Sequence, residues 1–255
     1  MNQSTYLGDL FGLGGRRALV TGGSSGIGRA IALALGAAGA HVMVAARTAA
    51  AVQAAAEEIR QAGGSAAGIT SDLSTRAGAY ALADSAGDVD ILVNSAGINL
   101  RPAMPDVDEA TWDATMRVNL EAPFILGQCL APRMAKRGFG RMIHISSQQA
   151  HRPFAASGVY GVSKAALEAL ARSQSEAWAP QGVTANVLVP GFVQTPLNQR
   201  LSSDPATVQA LADRTLIKRN GTAGDFAGAA IFLASAASAY VVGQSIAVDG
   251  GFSVH

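Results

Sequence analysis

The chain has 255 residues, 49% of them hydrophobic and 15% charged, with a formal net charge of +1. This balance suits a globular chain with a sizeable core and excludes a disordered one. The near-zero charge gives no electrostatic case for nucleic acid or an anionic membrane as partner. Cys129 is the single cysteine, which excludes an intrachain disulfide and a cysteine-cluster metal site and fits a reducing compartment.

The N-terminal stretch has no basic n-region, and Asp9 interrupts its apolar character. It does not read as a secretory signal, so a cytoplasmic location is expected. Short apolar runs then alternate with helical patterns. RALVT (17–21) reads as a strand and 26–38 as a helix. HVMVAA (41–46) is a strand, 49–61 a helix. SAAGIT (65–70) is a strand followed by a short helix. DILVNS (90–95) precedes a long helical region over about 108–136. RMIHIS (141–146) is a strand, 158–178 a helix, and VTANVLVP (183–190) a strand. The segment 195–219 is polar and expected to be irregular, a substrate-loop insertion of a length usually tied to function. A helix (224–236) and a strand (245–249) close the chain. Residues 226–248 carry no charge, but Ser235, Ser238, Gly243, Gln244 and Ser245 break the run. It reads as a small-residue helix, a turn and a buried strand rather than a bilayer span.

Continuous apolar strands alternating with helices predict an α/β fold: one Rossmann-like, doubly wound parallel sheet with helices on both faces. No linker, repeat or charge block marks a second domain, so residues 1–255 are expected to form one.

TGGSSGIG (21–28) follows the first strand and opens the first helix. Gly22 permits the tight turn, Gly26 lets a phosphate approach the backbone, and Gly28 lets the helix pack close. The helix N-terminus then favours a pyrophosphate. No Gly-Lys-Ser/Thr follows, so a P-loop is disfavoured. The second strand ends in Ala46, Arg47 and Thr48 rather than a carboxylate. Nothing there repels a 2′-phosphate, and the Arg47 fork could grip one, so NADP(H) is favoured over NAD(H).

Tyr160 and Lys164 stand four residues apart, on one helix face at about 6 Å. A cation behind a phenol favours its ionised form and suits it to exchange a proton between hydroxyl and carbonyl. Ser147, thirteen residues before the tyrosine, could hold the reacting oxygen.

The ordered set TGGSSGIG, NSAG (94–97), Asn119, Ser147, Tyr160, Lys164 and PGFVQT (190–195) resembles the short-chain dehydrogenase/reductase family, over about residues 13–251. The resemblance implies Tyr160 as acid/base and Lys164 as its partner and a ligand of the nicotinamide ribose. It implies Ser147 as the group orienting substrate oxygen and Asn119 as the residue holding a water in the proton relay. It places Ser24, Ser25 and Ile27 of the Gly-rich turn against the cofactor, with Arg47 and Thr48. Asp72, with Leu73, would contact the adenine edge. Asn94, Ala96 and Gly97 would flank the cofactor, and Pro190, Gly191, Val193 and Thr195 would lie near the carboxamide. No metal is required. The resemblance also implies a homotetramer, with the two long helices forming one interface and the last helix and strand another. Ser95 replaces the usual second Asn of NSAG, and the stretch 72–90 is about one helical turn shorter than usual. Gly161 leaves room above the tyrosine. The opening GDLFGLGGRRALVTG, the run AGINLR and the ending AVDGGF are similar to gluconate 5-dehydrogenase-like members.

Ligands in such sheets bind beyond the strand carboxyl ends. Arg101 follows the fourth strand there, and His151 and Arg152 follow the fifth, which suits a carboxylate substrate. Gln148 and Gln149 could serve the hydroxyls of a polyol or sugar acid. The leading expectation is an oxidoreductase interconverting a secondary alcohol and a ketone. A 3-oxoacyl carrier-protein reductase uses the same four residues and stays open. A non-catalytic nucleotide-sensing protein on this fold would not need Ser147, Tyr160 and Lys164 together.

Overall fold

A computed structural model describes residues 3–254; Met1, Asn2 and His255 lie outside the described residues. Among the described residues seven strands run in parallel: β1 (Arg17–Thr21), β2 (His41–Ala46), β3 (Ser65–Thr70), β4 (Ile91–Asn94), β5 (Gly140–Ile145), β6 (Val183–Pro190) and β7 (Ser245–Val248). Their order in the sheet is β3-β2-β1-β4-β5-β6-β7. The order reverses between β1 and β4, whose register pairs Thr21 with Asn94. A crevice therefore opens beyond their carboxyl ends, where such sheets bind ligands.

The helices are α1 (Gln3–Phe11), α2 (Gly26–Ala37), α3 (Ala49–Gln61), α4 (Arg76–Ala86), α5 (Glu109–Met116), α6 (Ala122–Lys136), α7 (Tyr160–Trp178), α8 (Gln199–Ser202), α9 (Pro205–Asp213) and α10 (Ala227–Ala234). Successive strand residues face opposite sides, so the inner strands feed two cores, while the edge strand β7, expected to be buried, adds Ile246 and Val248 to one core and leaves Ser245 and Ala247 exposed. Leu19, Met43 and Leu92 pack with Leu82 of α4 and Leu126 and Leu130 of α6. Val20, Val42 and Val93 pack with Ile31 and Leu35 of α2, Ile59 of α3 and Leu233 of α10. That is why the strands read as unbroken apolar runs.

Three local outcomes differ from the sequence reading or complete it. The expected helix over 108–136 is divided by a π-helical turn, Arg117–Glu121, which takes Asn119 out of the regular α-helical register. The segment 195–219, expected to be irregular, carries α8 and α9. The signal was present in Asp204-Pro205: the Asp204 carboxylate accepts from the Ala206 N–H at 3.1 Å, and proline occupies the first turn. The shortened stretch after Asp72 still forms α4, because Thr75 Oγ1 accepts from the Gly78 N–H at 3.0 Å and starts the helix cleanly. Among the described residues, no helix is long and apolar enough to cross a membrane.

Candidate active site

The turn between β1 and α2 is shaped by two close approaches. Gly22 has φ +64°, and a Cβ there would lie 2.8 Å from the Ala96 nitrogen. A Cβ on Gly28 would lie 2.4 Å from the Gly22 carbonyl oxygen. Only glycine lets the three segments meet. Ser25, at the helix N-cap, makes no side-chain cap, so the first N–H groups of α2 are left to an anion. Thr21 Oγ1 accepts from the N–H groups of Ser95 and Ala96, both at 3.2 Å. It thereby fixes NSAG against the Gly-rich turn, and Ser95 is accommodated in place of asparagine.

Two adjoining clefts open here. One, of about 360 Å³, runs from Ser25, Ile27 and Gly28 past Ala96 and Gly97 to Ser147, Tyr160 and Lys164; Pro190, Gly191, Val193 and Thr195 form its far wall. The other, of about 220 Å³, is lined by Ser24, Arg47, Thr48, Asp72 and Leu73. They share Gly22, Ser25, Ala96 and Gly97, and together make an elongated cradle suited to a dinucleotide. Asp72 accepts from the Ser74 N–H at 3.0 Å. Those Ser74 hydrogen bonds, and more weakly Arg47, hold its carboxyl below the usual range. Asn94 does not line either cleft. It is buried beneath them, its amide donating to His144 Nδ1 at 3.2 Å, because its side chain points into the sheet layer.

At the inner end, Ser147 follows β5 and Tyr160 opens α7. Tyr160 is 7% and Lys164 4% exposed. Burial pushes the phenol up to about 12, while the Ser147 hydroxyl and the Arg101 guanidinium pull it back. Burial pushes the Lys164 ammonium down to about 8. The spacing predicted that Lys164 would act on the phenol. The structure stacks Nζ 5.6 Å from the ring centroid but commits it to the Ile145 carbonyl at 2.7 Å. With the phenol enclosed, burial outweighs the two groups that favour its ionised form, Ser147 and Arg101.

Asn119 is fully buried. Its Oδ1 accepts from the Ile98 N–H at 2.9 Å, and its Nδ2 donates to the Ile98 carbonyl and to Ser163 Oγ, both at 3.0 Å. Ser163 in turn donates to the Tyr160 carbonyl at 2.7 Å. The asparagine side chain thus ties the loop after β4 to the first turn of α7.

The four expected substrate residues separate. Arg101, half-buried with φ +55°, lines the larger cleft and donates to Asn198 Oδ1 at 3.0 Å. Gln149 also lines it, but its Oε1 is taken by Ser157 Oγ at 2.7 Å. Gln148 lines the cleft with a buried Oε1 that has no partner among the described residues. His151 and Arg152 do not line it. His151 Nε2 meets Glu168 Oε1 at 3.1 Å, and Arg152 donates to the Ser253 carbonyl at 3.0 Å, both being turned away by the 3₁₀ turn Gln148–Ala150. Asn198, Leu201 and Leu211 of the α8–α9 segment close the cleft on one side; sequence reading gave the segment but none of these residues.

A family model described as enoyl-(acyl carrier protein) reductase matches residues 22–253. Gluconate 5-dehydrogenase of Gluconobacter oxydans (strain 621H) is 35% identical over 250 residues, 96% of this chain and 98% of that protein. The chain belongs to the short-chain dehydrogenase/reductase family. Galactitol 2-dehydrogenase (L-tagatose-forming) of Cereibacter sphaeroides is 38% identical over 251 residues, covering 96% of this chain and 98% of that one. The crystal structure of a gluconate 5-dehydrogenase from Burkholderia cenocepacia J2315, in complex with NADP and tartrate, superposes with a TM-score of 0.92 at 38% identity, covering 97% of this chain and 99% of that one. As a short-chain dehydrogenase/reductase, the protein is an oxidoreductase that interconverts a secondary alcohol and a ketone with a nicotinamide cofactor.

Proposed function

We propose that the protein is an NADP(H)-dependent dehydrogenase of a sugar acid, with residues 1–255 acting as one domain. The observation that carries the substrate class is Arg101, half-buried in the cleft and electrostatically coupled to Tyr160. A guanidinium at that place pairs naturally with a substrate carboxylate. The buried, unpartnered Oε1 of Gln148 supplies an acceptor for a sugar hydroxyl.

When bound, the nicotinamide supplies the hydride acceptor or donor. The chain's own residues do the rest. Ser147 holds the reacting oxygen, and Tyr160 takes or gives its proton. Lys164 holds the ribose and, being close to neutral under mildly alkaline conditions, can pass a proton on. Asn119 sets the height of the loop after β4 over the catalytic helix. Gly22, Ser24, Ser25, Gly26, Ile27 and Gly28 would hold the pyrophosphate, and Asp72 and Leu73 the adenine edge. Arg47 and Thr48 would hold the 2′-phosphate, and the NADP bound in the relative supports NADP use.

A homotetramer is the assembly this reading favours. Trp112 and Phe124, on the long helical region, are 40% and 46% exposed, and Tyr240 and Val254 near the C-terminus 101% and 76%. These apolar surfaces suit burial between copies, and light scattering tests it. A cytoplasmic site of action fits the single cysteine. The functional test is a panel of polyols, sugar acids and keto acids, each assayed with NADP and NAD. The expected result is turnover of a sugar acid with preference for NADP. Turnover restricted to 3-oxoacyl thioesters would overturn it.

A further inference from the structure

Glu168 is an ionisable side chain that the proposed chemistry does not use. It is 4% exposed, and a carboxylate in that position is costly unless donors surround it. Three do. Ser146 Oγ and His151 Nε2 reach Oε1 at 2.7 and 3.1 Å, and Ser245 Oγ reaches Oε2 at 2.9 Å. The carboxylate thus links α7 to the end of β5, to the turn after it, and to β7. The arrangement is not a nucleophile with its base, because the carboxylate sits between serine and imidazole and Ser146 is 2% exposed.

Its position along α7 gives it a purpose. Glu168 lies one helical turn beyond Lys164, on the same face. Lys164 Nζ donates to the Ile145 carbonyl, while Ser146 Oγ donates to Glu168 and lies 3.3 Å from the Lys164 carbonyl. The dipeptide Ile145-Ser146 is therefore strapped to the catalytic helix at two points, immediately before Ser147. We infer that Glu168 is a positioning residue: it holds Ser146, and through it Ser147 Oγ, in register with the phenol of Tyr160. The inference rests on the reading of Ser147 and Tyr160 as the reacting pair. The Glu168–Ser146 bond is a side-chain tie between helix and strand end that does not depend on Lys164 Nζ.

The test uses the full chain with NADP⁺ and the alcohol of the panel that the unmodified protein turns over. Glu168→Ala should lower kcat roughly 10- to 100-fold, the cost of a small misplacement of reacting groups, with NADP⁺ affinity by fluorescence titration unchanged. Glu168→Gln keeps an acceptor for Ser146 and a group that can bond Ser245, and should restore most of kcat. Ser146→Ala should reproduce the loss, and the double variant should add little to it. Full kcat in folded Glu168→Ala or Ser146→Ala overturns the inference, as does a Gln variant no better than the Ala variant. Should Glu168→Ala fail to fold, Ser146→Ala decides alone. Tyr160→Phe separates the two levels: near-normal turnover there would remove the reacting-pair reading itself, whereas an inactive Tyr160→Phe beside a fully active Ser146→Ala removes only the role of Glu168.

Discussion

Lys164 Nζ lies 5.6 Å from the ring centroid of Tyr160 and gives its hydrogen bond to Ile145 at 2.7 Å. The pair is close enough to couple, yet the phenol is raised to about 12 by burial. Replacing Tyr160 by Phe removes the group that exchanges the proton and leaves the Gly-rich turn intact. Turnover should fall by about 10²- to 10⁴-fold while NADP⁺ quenching or enhancement of fluorescence still saturates. Retained turnover would show that the phenol is not the acid/base.

Arg101 stabilises the ionised phenol, so its loss should raise the pKa of that group. Alcohol oxidation needs the deprotonated form. The pH–rate profile of Arg101→Gln in that direction should therefore move to higher pH. KM for a carboxylate-bearing substrate should rise about tenfold or more, the cost of one charge-assisted contact, with less change for a neutral polyol. Equal effects on charged and neutral substrates would argue against a carboxylate anchor.

Arg47 is exposed at the end of β2, beside the cleft that holds Asp72. Arg47→Ala should raise KM for NADP⁺ by about tenfold and leave KM for NAD⁺ nearly unchanged. A ratio that does not move would place the 2′-phosphate elsewhere.

Gly161 permits the turn Gln148–Ala150 to lie on the first turn of α7, since a Cβ would sit 2.6 Å from the Gln149 carbonyl oxygen. Alanine is the better helix former by about 1 kcal/mol, but here the main chain must move to admit it. Gly161→Ala should lose about 1–3 kcal/mol in denaturant titration and raise substrate KM. A stabilised variant with unchanged KM would refute that packing.

His144 is fully buried. Asn94 donates to its Nδ1, so Nε2 carries the hydrogen and donates to Gln174 Oε1 at 2.8 Å. Burial lowers its pKa from 6.5 to about 4. Between those values the unfolded chain binds a proton that the folded protein does not. Stability supplied by this group is present above pH 6.5 and is lost as the pH falls toward 4, by up to about 1.4 kcal/mol per pH unit. Denaturation of His144→Asn at pH 7 and pH 5 should show a smaller difference than the unmodified chain; an unchanged difference would assign the acid sensitivity to other groups.

The sequence by itself determined the parallel sheet, because residues buried on both faces leave unbroken apolar runs that alternate with helical periods. It determined the Gly-rich turn, because only glycine tolerates the contacts at Gly22 and Gly28, and the fixed spacing that sets Tyr160 beside Lys164. It left the helices of 195–219 unread although Asp204-Pro205 signals one. What only the tertiary structure decided was which polar side chains meet across elements far apart in the chain. Arg101 bonds Asn198 and acts through its charge on Tyr160, Asn119 engages Ile98 and Ser163, and Glu168 joins Ser146 to Ser245. His151 and Arg152, alike in sequence to cleft-facing residues, turn away. Periodicity fixes the face of an element a residue occupies; the direction and burial of each polar group depend on neighbours brought in by the fold, and those set its hydrogen bonds and its charge.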